Sequence, residues 1–275
     1  TVSMLFQAEE FKITPRKGEE YLLDRESKAH PSRVIFPVPS TNSKGMLVIP
    51  TVDGTTMVGP TARDTENKED LTTTADNLER VFNSARNLIP SISERDIITS
   101  FAGLRPILPG NDFYINVSAK APNFIQVAGI QSPGLTAAPA IAEYVLELLK
   151  KCDCRLVEKR DYEPFLEKVP RIHSMSIDST ADLAEKNPLY GHVICRCEKV
   201  SEAEIIDAIK RGHTTLDGIK FFTRTGMGRC QGGFCTGKVM KILMREAGMR
   251  FQDITKRGPG SEMIFGSLSK RDGKP

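Results

Sequence analysis

The sequence has 275 residues, enough for two ordinary domains, and with 39% hydrophobic and 27% charged residues it has the make-up of a globular protein. No apolar run approaches the ~18 residues that span a bilayer. The N-terminus lacks the basic and apolar regions of a secretory signal, so no transmembrane segment and a cytoplasmic location are expected. The net charge of +3, from 38 basic and 35 acidic residues spread along the chain, is too nearly balanced to mark a nucleic-acid surface.

From residue 1 to 150, short β-branched runs alternate with turn signals. Gly45–Pro50, Thr56–Gly59, Phe113–Val117 and Phe124–Ala128 read as strands of a mostly antiparallel sheet. Two helices flank it: Leu71–Leu88, ended by Pro90, and Thr136–Lys150, where Ile141, Val145, Leu148 and Leu149 make an apolar stripe. The fold class is therefore α+β. Residues 151–190 are polar and broken by Pro164, Pro170 and Pro188, and read as a connector.

A small all-helical domain is predicted at 191–250. Ser201 and Glu204 form a capping box that opens a helix through Lys210, with Ile205, Ile206 and Ile209 facing a core and Gly212 closing it. Thr214 with Asp217 marks a second helix start, and Cys235–Ala247, closed by Gly248, a third. Residues 251–275 form a tail rich in Gly, Lys and Ser, expected to be partly mobile from about Thr255 onward.

Six cysteines in a chain without a secretory signal read as metal ligands or free thiols, not as a disulfide framework. Cys195-Arg-Cys197 and Cys230-Gln-Gly-Gly-Phe-Cys235 offer four thiolates in two pairs, each on a loop at or before a helix start. A [2Fe–2S] cluster needs two thiolates per iron. Free backbone N–H groups and the positive helix end suit thiolates and an anionic cluster. Gly226, Gly228, Gly232 and Gly233 let backbone approach sulfur. Structural zinc is the competing reading, although zinc knuckles usually space their cysteines by two to four residues. The Cys152-Asp-Cys154 pair reads as two incidental thiols. Gly232–Val239 follows P-loop spacing only as far as its lysine, so nucleotide hydrolysis is not expected.

The segments His192–Ile205 and Thr225–Cys235 resemble the bacterioferritin-associated-ferredoxin-like [2Fe–2S] domain. The small ferredoxin separates its second cysteine pair by two residues. Four intervene here, which resembles the form fused to flavin-dependent dehydrogenases. The resemblance implies Cys195, Cys197, Cys230 and Cys235 as the ligands. His30, His173, His192 and His213 are scattered and read as surface or packing residues, while the proximity of His192 to the first cysteine pair makes it a candidate to tune the cluster through a hydrogen bond.

In the first domain, Ala128–Ala142 runs from a strand through a Gly/Pro turn into a helix. Such a turn aims N–H groups and the positive helix end at an anionic group, and the N1/O2 edge of a reduced flavin is one. Together with Ser100–Pro106, Ile49–Gly54 and Val58–Thr61, it resembles the C-terminal half of the D-amino-acid-oxidase-like FAD superfamily, glycerol-3-phosphate and L-2-hydroxyglutarate dehydrogenases among its members. The resemblance implies that Gly129, Ile130, Gln131, Ser132, Pro133, Gly134, Leu135 and Thr136 face FAD, and that Arg105 pairs with the anion of a small substrate through a bidentate, permanently charged guanidinium. It also implies that Thr14–Tyr21 is the strand entering the substrate domain, with Tyr21 lining the pocket. No residue is assigned as catalytic base.

The superfamily carries Gly-x-Gly-x-x-Gly for the FAD pyrophosphate, and this sequence has no such match. An N-terminal FAD-binding domain is therefore expected outside it. The whole enzyme is expected to oxidise glycerol 3-phosphate or a 2-hydroxy acid, with the cluster relaying electrons to an acceptor protein or a quinone. The alternative is a non-enzymatic zinc-binding regulatory or interaction module.

Overall fold

A computed structural model describes residues 2–39, 45–165 and 167–266. Positions 267–275 of the expected tail lie outside the described residues. The chain divides into two compact units, Thr1–Tyr162 and Glu163–Pro275. Among the described residues no helix is long and apolar enough to cross a membrane.

The first unit holds α1 (Val2–Leu5), β1 (Thr14–Leu23), β2 (Leu47–Pro50), β3 (Thr56–Gly59), β4 (Arg63–Asp64), α2 (Ala75–Leu88), β5 (Ile97–Ile107), β6 (Tyr114–Val117), β7 (Ile125–Ala128) and α3 (Gly134–Lys151). β1 is the organising strand of a five-stranded antiparallel sheet. β5 runs along one edge from Thr14↔Ile107 to Leu23↔Ile97, while β3 and β4 share the other and β2 extends beyond β3. β6 and β7 form a separate hairpin. The mixed α and antiparallel β class expected from the sequence is the class observed.

The sheet presents two unlike faces. Leu23, Val48 and Val58 are fully buried and pack with Val81, Phe82 and Ala85 of α2. On the same face, however, β1 also buries Lys17 and Glu19. The Lys17 ammonium reaches Asp70 at 2.7 Å and the Thr72 carbonyl at 3.0 Å, while Glu19 accepts from the Thr74 N–H at 2.7 Å and the Asn77 amide at 2.8 Å. A carboxylate from β1 thus serves the N–H of the N-cap residue Thr74, whose hydroxyl also donates to Glu19 and makes no side-chain cap to the helix. This is why α2 starts at Ala75 and not at the predicted Leu71: residues 70–74 are held out of helix by their bonds to β1.

The second unit holds α4 (Ile177–Lys186), β8 (Val193–Cys195), β9 (Val200–Ser201), α5 (Glu202–Lys210), α6 (Leu216–Thr223) and α7 (Thr236–Ala247). α4 lies in the stretch read as a connector. Ser176 caps it by accepting from the Ser179 N–H, and the helix ends before Pro188. A short β8–β9 hairpin precedes the helices. The Ser201–Glu204 capping box is present. α6 is capped by Thr215, one residue later than the predicted start, with the Gly218 N–H donating at 3.1 Å. Ile194, Ile205, Ile219, Val239 and Leu243 form one core, each worth about 1.5–3 kcal/mol when fully buried.

His192 does not reach the cysteines. Its Nδ1 pairs with the buried Glu202 carboxylate, which also pairs with Arg245, so this cluster ties α5 to α7. Burial pushes the Glu202 carboxyl up, but Arg245 and His192 outweigh that and hold it below the usual carboxylate range.

Two consequences are measurable. Glu19→Ala leaves Lys17 buried with one carboxylate fewer and strips the start of α2, and should cost about 3–5 kcal/mol in urea unfolding of the first unit; a change under about 0.5 kcal/mol would contradict the network's role. Because folding favours ionised Glu202, its contribution is complete above the ordinary value of 4.5 and is lost as pH falls through the lower folded value. Arg245→Ala should therefore lower the urea midpoint of the second unit at neutral pH, with the gap to wild type closing below pH 4.5; a gap independent of pH would refute this.

Candidate functional site

The second unit gathers four thiols from two loops. Cys195 ends β8 and Cys197 sits in the β8–β9 turn, where Lys199 takes a left-handed φ of 49°. Cys230 lies in the α6–α7 loop and Cys235 is the N-cap of α7. Between them Gln231 and Gly232 have φ of 46° and 85°, two consecutive left-handed residues that turn the chain back around the Cys230 sulfur. Cys195 and Cys235 are 1% and 2% exposed, whereas Cys197 is exposed and Cys230 half-buried.

The thiols are drawn up as two hydrogen-bonded pairs, Cys195 with Cys235 and Cys197 with Cys230. Backbone N–H groups converge on them. Gly226 and Glu198 donate to the Cys195 sulfur, Cys230 to Cys197, and Phe234 and Gly232 to Cys230. The bond from Cys235 and these two backbone donors lower the Cys195 thiol to about 6 against the opposing effect of burial. Cys235, the donor in that bond and buried beside it, is pushed well up. Each pair thus favours one thiolate before any metal arrives.

The space is shaped for sulfur. A Cβ at Gly228 would collide with the Cys197 Cβ, and one at Gly232 would come within 2.7 Å of the Thr236 hydroxyl. The two loops are locked to each other by the Arg224–Glu198 ion pair, 2.8 Å long, whose carboxylate is buried immediately after Cys197. The sequence reading missed this pair; its only signal was an acidic and a basic residue each next to a cysteine loop. Among the described residues no group of three or more His, Cys, Asp or Glu side chains is gathered closely enough to hold a metal ion. Two thiol pairs with five backbone donors fit a two-iron cluster, which takes two thiolates per iron and is anionic. Cys152 and Cys154 belong to the first unit; Cys152 donates to the Pro122 carbonyl.

In the first unit the sheet face away from α2 carries Arg105. In register, Arg105 pairs with Arg16, Gly103 with Gly18 and Phe101 with Glu20, so these side chains share that face. A Cβ at Gly18 would lie 3.6 Å from a terminal nitrogen of Arg105, so the guanidinium lies over bare backbone. Glu20, two residues along, has its carboxyl pushed up by burial and only partly restored by Arg105. Tyr21 falls on the opposite face, against the α2 core. The sequence placed Tyr21 and Arg105 in one pocket; strand alternation separates them.

The Gly129–Thr136 segment joins β7 to α3. Gly129 has φ 68°, and a Cβ there would stand 2.5 Å from the Leu108 side chain, so only glycine fits. Gln131 is anchored to Asn111 at 2.9 Å, and the Thr136 hydroxyl to the Pro133 carbonyl at 2.9 Å. Pro133, the N-cap of α3, makes no side-chain cap to the helix amides.

Residues 2–148 match the model of the FAD dependent oxidoreductase family, and the chain belongs to that family. Residues 193–245 match the BFD-like [2Fe-2S] binding domain, so FAD and a [2Fe–2S] cluster are the cofactors of its two modules. The chain is 41% identical over 257 residues to a glycerol 3-phosphate dehydrogenase of Caloramator mitchellensis, covering 93% of this chain and 54% of the relative. It is 37% identical over 147 residues to a glycerol 3-phosphate oxidase of Mycoplasma pneumoniae, covering 53% and 38%. The FAD-bound L-alpha-glycerophosphate oxidase structure from the same organism superposes with a TM-score of 0.53 at 34% identity, over 60% of this chain and 44% of that one. The chain thus spans about half the length, or less, of these relatives.

The steric fit at Gly228 gives a direct test. Gly228→Ala should abolish or strongly reduce the visible absorbance of the cluster, since the forced shift costs about 1–3 kcal/mol at the site. Gly237→Ala, where a Cβ meets nothing within 4 Å, should keep it. Equal absorbance in both variants would contradict the packing described.

Proposed function

We propose that this chain is the substrate-facing and cluster-bearing part of a cytoplasmic FAD-dependent glycerol-3-phosphate dehydrogenase. The observation that carries the reading is that similarity to the Caloramator mitchellensis dehydrogenase runs through both units, over 93% of the chain, whereas similarity to the Mycoplasma pneumoniae oxidase covers 53%. When bound, FAD accepts a two-electron hydride and the [2Fe–2S] cluster passes electrons singly towards an acceptor.

The chain's own residues then have distinct tasks. Arg105, lying over Gly18 on the sheet face away from α2, holds the substrate phosphate by charge-assisted, two-pronged hydrogen bonds. Gly129–Thr136 carries the start of α3 towards the flavin, with N–H dipoles that favour negative charge. Cys195, Cys197, Cys230 and Cys235 ligate the two irons, with the backbone donors on their sulfurs offsetting thiolate charge. The pyrophosphate half of FAD is held by sequence outside these 275 residues, in keeping with the missing glycine fingerprint.

The test is anaerobic titration of the full-length enzyme with glycerol 3-phosphate. Flavin absorbance should bleach with that substrate, and Arg105→Met should raise KM by roughly 10- to 150-fold, the loss of about 1.5–3 kcal/mol of charged hydrogen bonding. Bleaching by 2-hydroxyglutarate but not by glycerol 3-phosphate would overturn the substrate, and an unchanged KM would remove Arg105 from the site.

A further inference from the structure

We propose that the surface over Cys197 docks an acidic one-electron carrier protein, which is the acceptor for this enzyme; the inference rests on the four cysteines holding the cluster. The thiols are unequal. Cys195 and Cys235 are sealed in the core, while Cys197 is exposed and Cys230 half-buried. The shortest way out for an electron is therefore past Cys197 and Cys230.

The exposed charged residues next to Cys197 and Cys230 in sequence are basic, and Asp217, which lines the pocket beside Gln231 and Gly232, is within ion-pair reach of Lys220 and Lys256. Arg196 and Arg229 directly precede Cys197 and Cys230, Lys199 is the last residue of the β8–β9 turn, and Lys238 is the third residue of α7, in its first turn; all four are exposed. From Gly218 to Met244 the sequence has five basic residues and no acidic one. The carboxylate nearest the first cysteine loop, Glu198, is buried and paired with Arg224. The whole chain is nearly balanced in charge, so this is a local concentration. In the Cys230 loop, directly before Cys235, Phe234 is 84% exposed, and its own N–H is committed to the Cys230 sulfur.

An acidic partner approaching a bare, anionic cluster would be repelled. A collar of cations reverses that field, steers the partner in and fixes its orientation, and an exposed aromatic supplies the apolar anchor that charges lack. A quinone, uncharged and apolar, would draw nothing from these arginines and lysines. The transfer balances simply: the reduced cluster loses one electron, the carrier gains it, and no bond or proton moves.

The test uses the full-length holoenzyme with oxidised acidic flavodoxin as the probe, and vesicles of anionic phospholipid alongside. Binding is measured by calorimetry at rising salt, after iron and sulfide have been assayed in every sample. R196E and K238E should each weaken flavodoxin binding about tenfold at low salt and flatten its salt dependence. F234A should weaken binding without changing the salt slope. R250E, beyond the C-terminal end of α7, should do neither. The proposal is overturned if R196E and K238E weaken binding no more than R250E does, or if the anionic vesicles bind and flavodoxin does not. Wild-type enzyme without iron and sulfide would instead refute the cluster assignment itself.

Discussion

Cys195 and Cys235 touch inside a hydrophobic core, and the second unit is arranged around that contact. One sulfur ends a hairpin and the other begins a helix, so the same apolar packing that folds the unit also sets two of the four thiols in place. The two remaining thiols are carried outward on loops whose shape is fixed by left-handed residues, by bare backbone at Gly228 and by the Arg224–Glu198 pair. A site organised in this way pays its ordering cost during folding, before metal binds.

The first unit solves a different problem with one strand. β1 must hold α2 on one side and leave a charged side chain available on the other. Buried Lys17 and Glu19 achieve the first through the Asp70–Asn77 segment, and the pair Gly18 and Gly103 achieves the second by leaving space beside the Arg105 guanidinium. Strand alternation then makes the two roles independent: a change at Glu19 acts on the anchoring of the helix, and a change at Arg105 acts on the opposite face.

Much of this was legible in the sequence where a single residue type dictates the outcome. The Ser201–Glu204 box marks a helix start to the residue, and the segments around the two short cysteine pairs mark the family of the second module. The strand β5 is not among the strands expected from the sequence; as an edge strand bonded only to β1 it tolerates Gly103 and Pro106. The start of α2 and the placement of Tyr21 were misjudged for one reason. Both are decided by partners on another strand or helix, Glu19 in one case and the α2 core in the other, and no local pattern carries that information. His192 was drawn towards the cluster by proximity in sequence, yet Glu202 on α5 claims it.

The central proposal is that Cys195, Cys197, Cys230 and Cys235 hold a two-iron cluster. The most direct measurement is iron, acid-labile sulfide and zinc in one anaerobically purified sample of the full-length protein, repeated with each of the four cysteines changed to serine. The expected result is about two iron and two sulfide per chain, lost in every one of the four variants and kept in Cys152→Ser. About one zinc per chain with no sulfide, or a serine variant among the four that keeps the full complement, would contradict it.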